Sequence, residues 1–228
     1  MIPRALAALA LALGLAACAR NDLDEPPMPL GDFVLGHNIA VAENVQMVPI
    51  SRPATPEEWE GAIQKAVDAR FGYHRYPGTR IFNIGISVDA YALAPPGIPV
   101  VAAPKSVLVV TANIWDDGAG ARLNDEGHQI TVFEGLSGET VIGTGLTRSK
   151  AQQMEALSFN AVRKVEEWLL ENPEWFGMTK AELQAALDAR AKAMAVPEVV
   201  VEVGAEVAAE GGSEAGVPTD VPAGEDAN

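Results

Sequence analysis

Apolar residues fall at every second position through one central stretch of the chain. Ile84, Ile86, Val88, Ala90 and Ala92 alternate with Gly85, Ser87, Asp89 and Tyr91. Side chains on a strand point alternately to its two faces, so this pattern predicts a half-buried strand from about Arg80 to Leu93. Pro95-Pro96-Gly97-Ile98-Pro99 breaks it. The next run, Val107 to Trp115, is β-rich and apolar on nearly both faces, as a central strand must be. Two adjacent strands of this kind commit the middle of the chain to a sheet with one buried face.

Two segments further on match each other. Ile114-Trp115-Asp116-Asp117-Gly118-Ala119-Gly120 parallels Val132-Phe133-Glu134-Gly135-Leu136-Ser137-Gly138. Each reads aliphatic, aromatic, acidic, then a turn ending in glycine. Both are expected to be strand exits into hairpin turns, with Gly120 and Gly138 at positive φ. Ile130 to Phe133 and Thr140 to Thr147 are then returning strands of a meander.

Helix signals flank this sheet. Thr55-Pro56-Glu57-Glu58 combines a capping threonine, a first-turn proline and a capping-box glutamate. Trp59, Ile63, Val67 and Phe71 follow as one apolar stripe, with Gly72 as the stop. Ser149 and Gln152 make a second capping box, before a long helix with Met154, Leu157, Ala161, Val165 and Trp168 facing inward. Thr179 and Glu182 make a third, stapled by Met178 and Leu183. One or two short strands are expected between Phe33 and Val48. The order is β-α-β-β-β-β-α-α. It predicts an α+β fold: a mainly antiparallel sheet of about five strands with helices on one face.

The ends of the chain differ from this middle. Residues 1–17 have the parts of a secretory signal: Arg4 as the basic start, then an uncharged Ala/Leu stretch from Ala5 to Ala17. That stretch is shorter than the ~20 residues needed to span a bilayer. Residues 18–32 read as a tether with Asp22, Asp24 and Glu25 before Pro26, Pro27 and Pro29. Fully extended, the fourteen residues from Ala19 to Asp32 reach roughly 45–50 Å. The folded domain is expected over 33–195. From 196 to 228 the chain carries eight acidic residues and neither Lys nor Arg, and reads as a disordered acidic tail. The net charge is -15. Removal of Arg4 with the leader would leave -16, half of it in the tail, so nucleic acid is not an expected partner.

Leu15-Ala16-Ala17-Cys18 resembles the lipobox of bacterial lipoproteins. The resemblance implies cleavage before Cys18, diacylglycerol on its thiol and acylation of the new amine by palmitate-like chains. It also implies a membrane anchored by lipid, with the domain facing the periplasm. Ala19, where inner-membrane lipoproteins of enterobacteria tend to have Asp, implies the outer membrane. Over Phe33 to Trp168 the element order and the acidic-x-x-(Ser/Ala)-Gly turns are similar to small periplasmic domains of envelope lipoproteins, such as the curli-secretion lipoprotein family.

The chemistry-bearing residues form no catalytic motif. His37, His74 and His128 have no helical ligand spacing, and Cys18 is the single cysteine, so no cysteine-based metal cage is available. Asp116, Asp117, Asp125 and Glu126, with His128 nearby, match no calcium loop and read as solvated turns; no metal or cofactor is expected. Two apolar features stand out. The loop with Ile98, Val100 and Val101 either packs over the sheet edge or presents a surface to a partner. Trp175-Phe176 either closes a core or forms a binding patch. The expected function is a non-catalytic accessory or scaffold lipoprotein that binds another envelope component. The alternatives are a subunit of an envelope secretion or transport assembly and, more distantly, a periplasmic enzyme.

Overall fold

A computed structural model describes residues 22–95, 106–134 and 148–195. The compact unit ends at Ala195. It is an α+β fold in two layers. The sheet contains β1 (Val34–Val41), β2 (Gln46–Met47), β3 (Ile81–Ala92), β4 (Val107–Asp116), β5 (Ala121–Arg122) and β6 (His128–Phe133). The helices are α1 (Pro56–Phe71), α2 (Lys150–Leu170) and α3 (Lys180–Ala195), with 3-10 turns at Asp22–Asp24 and Pro173–Phe176. Thr140 to Thr147, expected as a strand, and Gly138 lie outside the described residues.

The sheet is mixed. β3 pairs antiparallel with β4, and β4 with β5 and β6. β1 and β2, however, run parallel to β3. The reason is connectivity: α1 lies between β1 and β3 and returns the chain to the same end of the sheet, which forces parallel pairing. Phe82, Ile84, Ile86 and Val88 of β3, Leu108, Val110, Ala112 and Ile114 of β4, and Ile130 and Val132 of β6 face the helices. There they meet Trp59, Ile63, Val67 and Phe71 of α1 and Met154, Leu157, Ala161, Val165 and Trp168 of α2.

The alternation of β3 changes phase near its end. A bulge between Val88 and Ala90 leaves Asp89 unpaired in the register. Beyond it Ala90 is half-buried and Tyr91 is buried, the reverse of strict alternation from Ile84. Tyr91 packs 5.1 Å from Trp59, and its hydroxyl donates to Ala54 O and accepts from Ala54 N–H. The phase change thus converts an expected surface tyrosine into a clamp on the start of α1.

All three capping boxes form. Thr55 Oγ1 accepts from Glu58 N–H while Glu58 accepts from Thr55 N–H, and Ser149/Gln152 and Thr179/Glu182 do the same. α1 stops at Gly72, which has negative φ; a Cβ there would press on Asp68 O. Phe176 is 3% exposed and packs edge-on to Phe33 and Phe82, with centroids 5.8 and 5.0 Å apart. It closes the core at the end of α2, so the binding-patch reading does not hold for it. Trp175 is half-buried, edge-on to Trp168 at 5.3 Å.

Candidate interaction surface

Glu166 of α2 is 3% exposed, and two partners satisfy its carboxylate. Arg70 Nη1 donates to Oε2 at 2.7 Å, and the Tyr76 hydroxyl donates to Oε1 at 2.8 Å. Burial, and then the neighbouring Glu166 charge, push the Tyr76 phenol above its ordinary range. The folded protein therefore holds Tyr76 neutral. That contribution is present below about pH 10, the free phenol value, and is lost as pH rises further.

The same arginine reaches outward. Arg70 Nη2 donates to Asp22 Oδ2 at 2.8 Å. Arg75 Nη1 donates to the carbonyls of Leu23 and Glu25. Arg190 of α3 donates through Nε to Pro26 O at 2.9 Å and through Nη2 to Glu25 at 3.0 Å. Three arginines from three parts of the fold thus grip Asp22–Pro26. The segment expected as an extended tether is, from Asp22 onward, laid along the domain. Its prolines leave carbonyls free of internal hydrogen bonds, which is what guanidinium donors need. Asp22, Glu25, Arg70, Arg75, Arg163, Glu166, Glu167 and Arg190 line a cavity of about 190 Å³ beneath this strap.

A larger groove, about 880 Å³, lies between α1 and α2. Its α1 side is built from Gly61, Ala62, Ala66 and Ala69, and its α2 side includes Ala151, Ala156 and Phe159. Two ion pairs link the helices beside it: Lys65–Glu155 at 2.7 Å and Lys150–Glu58 at 2.5 Å. Hydrogen bonding to Lys150 holds the Glu58 carboxyl below its usual range. Leu23, from the strap, also lines it. Gly61 is notable because a glycine inside a helix is about 0.5–1 kcal/mol worse than alanine. No atom lies within 4 Å of where its Cβ would be, so packing inside the chain does not require it. These small residues are a signal for the groove that the apolar-stripe pattern passes over.

In the acidic turn, Asp116 and Asp117 make hydrogen bonds within the fold. Asp116 Oδ2 accepts from Arg80 at 2.7 Å, and its Oδ1 accepts from Ala119 N–H at 3.1 Å. The Arg80 guanidinium, and then that backbone bond, hold its carboxyl below the usual range. Asp117 Oδ1 accepts from Asn83 Nδ2 at 3.0 Å. Asp125 and Glu126 are exposed, and their carbonyls accept from Arg122 and Asn124. His128 stacks on Trp168 with centroids 4.5 Å apart, while His37 and His74 are exposed and distant in sequence from both. Among the described residues no group of three His, Cys, Asp or Glu is placed to hold a metal ion. Cys18, Ile98, Val100 and Val101 lie outside the described residues.

Gly120 has φ +60°, as its turn position requires. Gly120→Val should therefore destabilise the fold by roughly 1–3 kcal/mol. Asp116→Asn with Asp117→Asn should cost less, ~1 kcal/mol or below, because the Arg80–Asp116 pair is partly exposed and screened. Thermal melts of both variants, with calcium and with chelator, check the order. A calcium-dependent rise lost in the double variant would make this turn a cation site instead.

No family model matches the chain, and no curated protein matches it by sequence. Solved structures with some likeness include PelC from Paraburkholderia phytofirmans, described as a dodecamer. It is 15% identical, the match covers 60% of this chain and 91% of that one, and the TM-score is 0.32. A provisionally named lipoprotein of Caulobacter crescentus is 14% identical over 60% and 92%, with TM-score 0.30. A Xanthomonas campestris protein of the DUF330 family is 13% identical over 73% and 95%, with TM-score 0.33. At these values the likenesses assign neither family nor activity.

Proposed function

We propose that the chain is a lipid-anchored protein of the bacterial envelope that works by binding rather than by catalysis. In this reading the groove between α1 and α2 receives an amphipathic helix of another envelope protein. One observation carries it: Leu23 lines the groove and stands five residues after Cys18, so the surface best shaped for a partner adjoins the proposed anchor. The occupant follows from the lining. A floor of glycine and alanine admits a helix closely, and the Lys65–Glu155 and Lys150–Glu58 pairs offer both signs of charge at the rim. No helix among the described residues is long and apolar enough to cross a membrane, and the lipid on Cys18 is the proposed anchor.

Photo-crosslinking in cells tests the groove. A photoreactive side chain at Ala62 or Ala156 should give one discrete protein adduct, and Ala62→Trp should abolish the adduct formed from Ala156. A photoreactive side chain at Thr131, on the other face of the sheet, should give none. Equal labelling from all three positions would remove the groove from the account.

Assembly into a larger complex is the second reading, favoured by one edge of the sheet. β1 has the sequence VLGHNIAV, with no Lys, Glu or Pro, and exposes Ile39 at 51% and Val41 at 42%. An edge strand without charge or proline is a template for pairing. Sedimentation of the lipid-free domain separates a monomeric scaffold from a self-assembling subunit.

A further inference from the structure

We infer that the strap fixes the domain against the phospholipid surface, with the face around Tyr73, Arg75, Arg163 and Arg190 turned to the headgroups. The inference rests on the proposed lipidation of Cys18 and adds the orientation and the contact surface.

Chain length limits the orientation first. Only four residue steps separate Cys18 from Asp22, where Arg70 grips the chain. Four residues span at most about 14 Å. A free segment up to Asp32 would instead reach roughly 45–50 Å. A compact domain of this size is roughly 40 Å across. A leash about a third of that diameter does not let the domain roll; only the side bearing Asp22 can approach the membrane. Arg75 and Arg190 hold the residues that follow, Leu23 to Pro26, so the leash does not lengthen by peeling a residue or two.

The whole chain is acidic, at -15, which repels anionic headgroups on average. Around the strap that excess of negative charge is absent: Arg70, Arg75, Arg163 and Arg190 stand against Asp22, Glu25, Glu166 and Glu167, four charges of each sign. Arg70 is committed to Glu166, and Arg163, though paired with Glu167 at 2.9 Å, keeps 41% of its side chain exposed. Tyr73 is 70% exposed, three residues past Arg70 and two before Arg75. A tyrosine with its ring in solvent beside arginines is the composition of a membrane interface, where the ring sits at headgroup level.

Site-directed spin labelling of the full lipidated protein in vesicles of phosphatidylethanolamine and phosphatidylglycerol tests this. The label is placed on Tyr73→Cys, with Thr131→Cys as the control on the far face of the sheet. The account predicts that the label at 73 collides mainly with lipid-soluble oxygen and the label at 131 mainly with a water-soluble nickel chelate. In Arg75→Ala with Arg190→Ala the strap loosens, and the label at 73 should move to the chelate-accessible side while the protein stays in the vesicles. Equal chelate access at 73 and 131 in protein whose mass carries the lipid would overturn the inference and leave the lipidation standing. Protein without lipid by mass, and free of the vesicles, would overturn both.

Discussion

Cys18→Ser should remove the protein from the membrane fraction altogether. The proposed lipid transfer to Cys18 needs a sulfur nucleophile, and a serine hydroxyl, far less acidic and less nucleophilic, does not substitute. Without it no diacylglycerol is attached, and the lipid-dependent peptidase has no substrate. The energetic consequence is large because each buried methylene contributes ~0.8 kcal/mol, and three chains together hold effectively permanently. No helix among the described residues offers a second route into the bilayer. Feeding labelled palmitate and separating membranes from the soluble envelope fraction reads the result directly. Equal labelling of wild type and variant would refute the anchor.

Glu166→Ala should be among the most destabilising single changes in the domain. It removes the acceptor for a guanidinium and a phenol that are both buried: the Arg70 side chain is 3% exposed and Tyr76 is 5% exposed. Leaving one member of a buried ion pair unpartnered costs about 3–5 kcal/mol. Asp22 keeps half of the Arg70 charge satisfied, which sets the expectation toward the lower end of that range. Exchanging both groups for apolar ones of similar size, Arg70→Met with Glu166→Leu, should cost much less than the sum of the single changes. Urea denaturation of the four proteins gives the cycle. A near-additive double variant would mean that Arg70 and Glu166 are not energetically coupled. The double variant also deletes the Arg70–Asp22 bond, so its strap should become susceptible to proteolysis while the core holds.

How far the sequence predicts this molecule depends on the range of each interaction. The capping boxes at Thr55, Ser149 and Thr179 and the stripe Trp59, Ile63, Val67, Phe71 involve neighbours within a few residues, so their pattern is complete in the local sequence. The helix-on-sheet layering follows from them and from the alternation of β3. The parallel pairing of β1 with β3 is not local; it is decided by which end of the sheet α1 returns to. The burial of Tyr91 depends on a bulge against β4 that nothing in the β3 sequence marks. The strap is the clearest case. Prolines and acids between Asp22 and Pro29 describe a solvated linker and a docked extended segment equally well. The difference lies in Arg70, Arg75 and Arg190, which are 48 to 165 residues along the chain from the strap residues they bind. Arg70 itself interrupts no pattern, since one polar residue beside Phe71 at a helix end looks like a surface position. The groove was harder to see for a different reason: Gly61, Ala62, Ala66 and Ala69 shape it by the side chains they lack.

The mass of the mature amino-terminal peptide is the most direct test of the account. Protein extracted from its native membrane and digested should yield a peptide that begins at Cys18, carrying a diacylglyceryl thioether and an acylated amine. A peptide that begins elsewhere, or one that contains Cys18 with a free thiol, would contradict the anchor. With it would fall the reading of the strap as a short leash and of the domain as a surface held against the membrane.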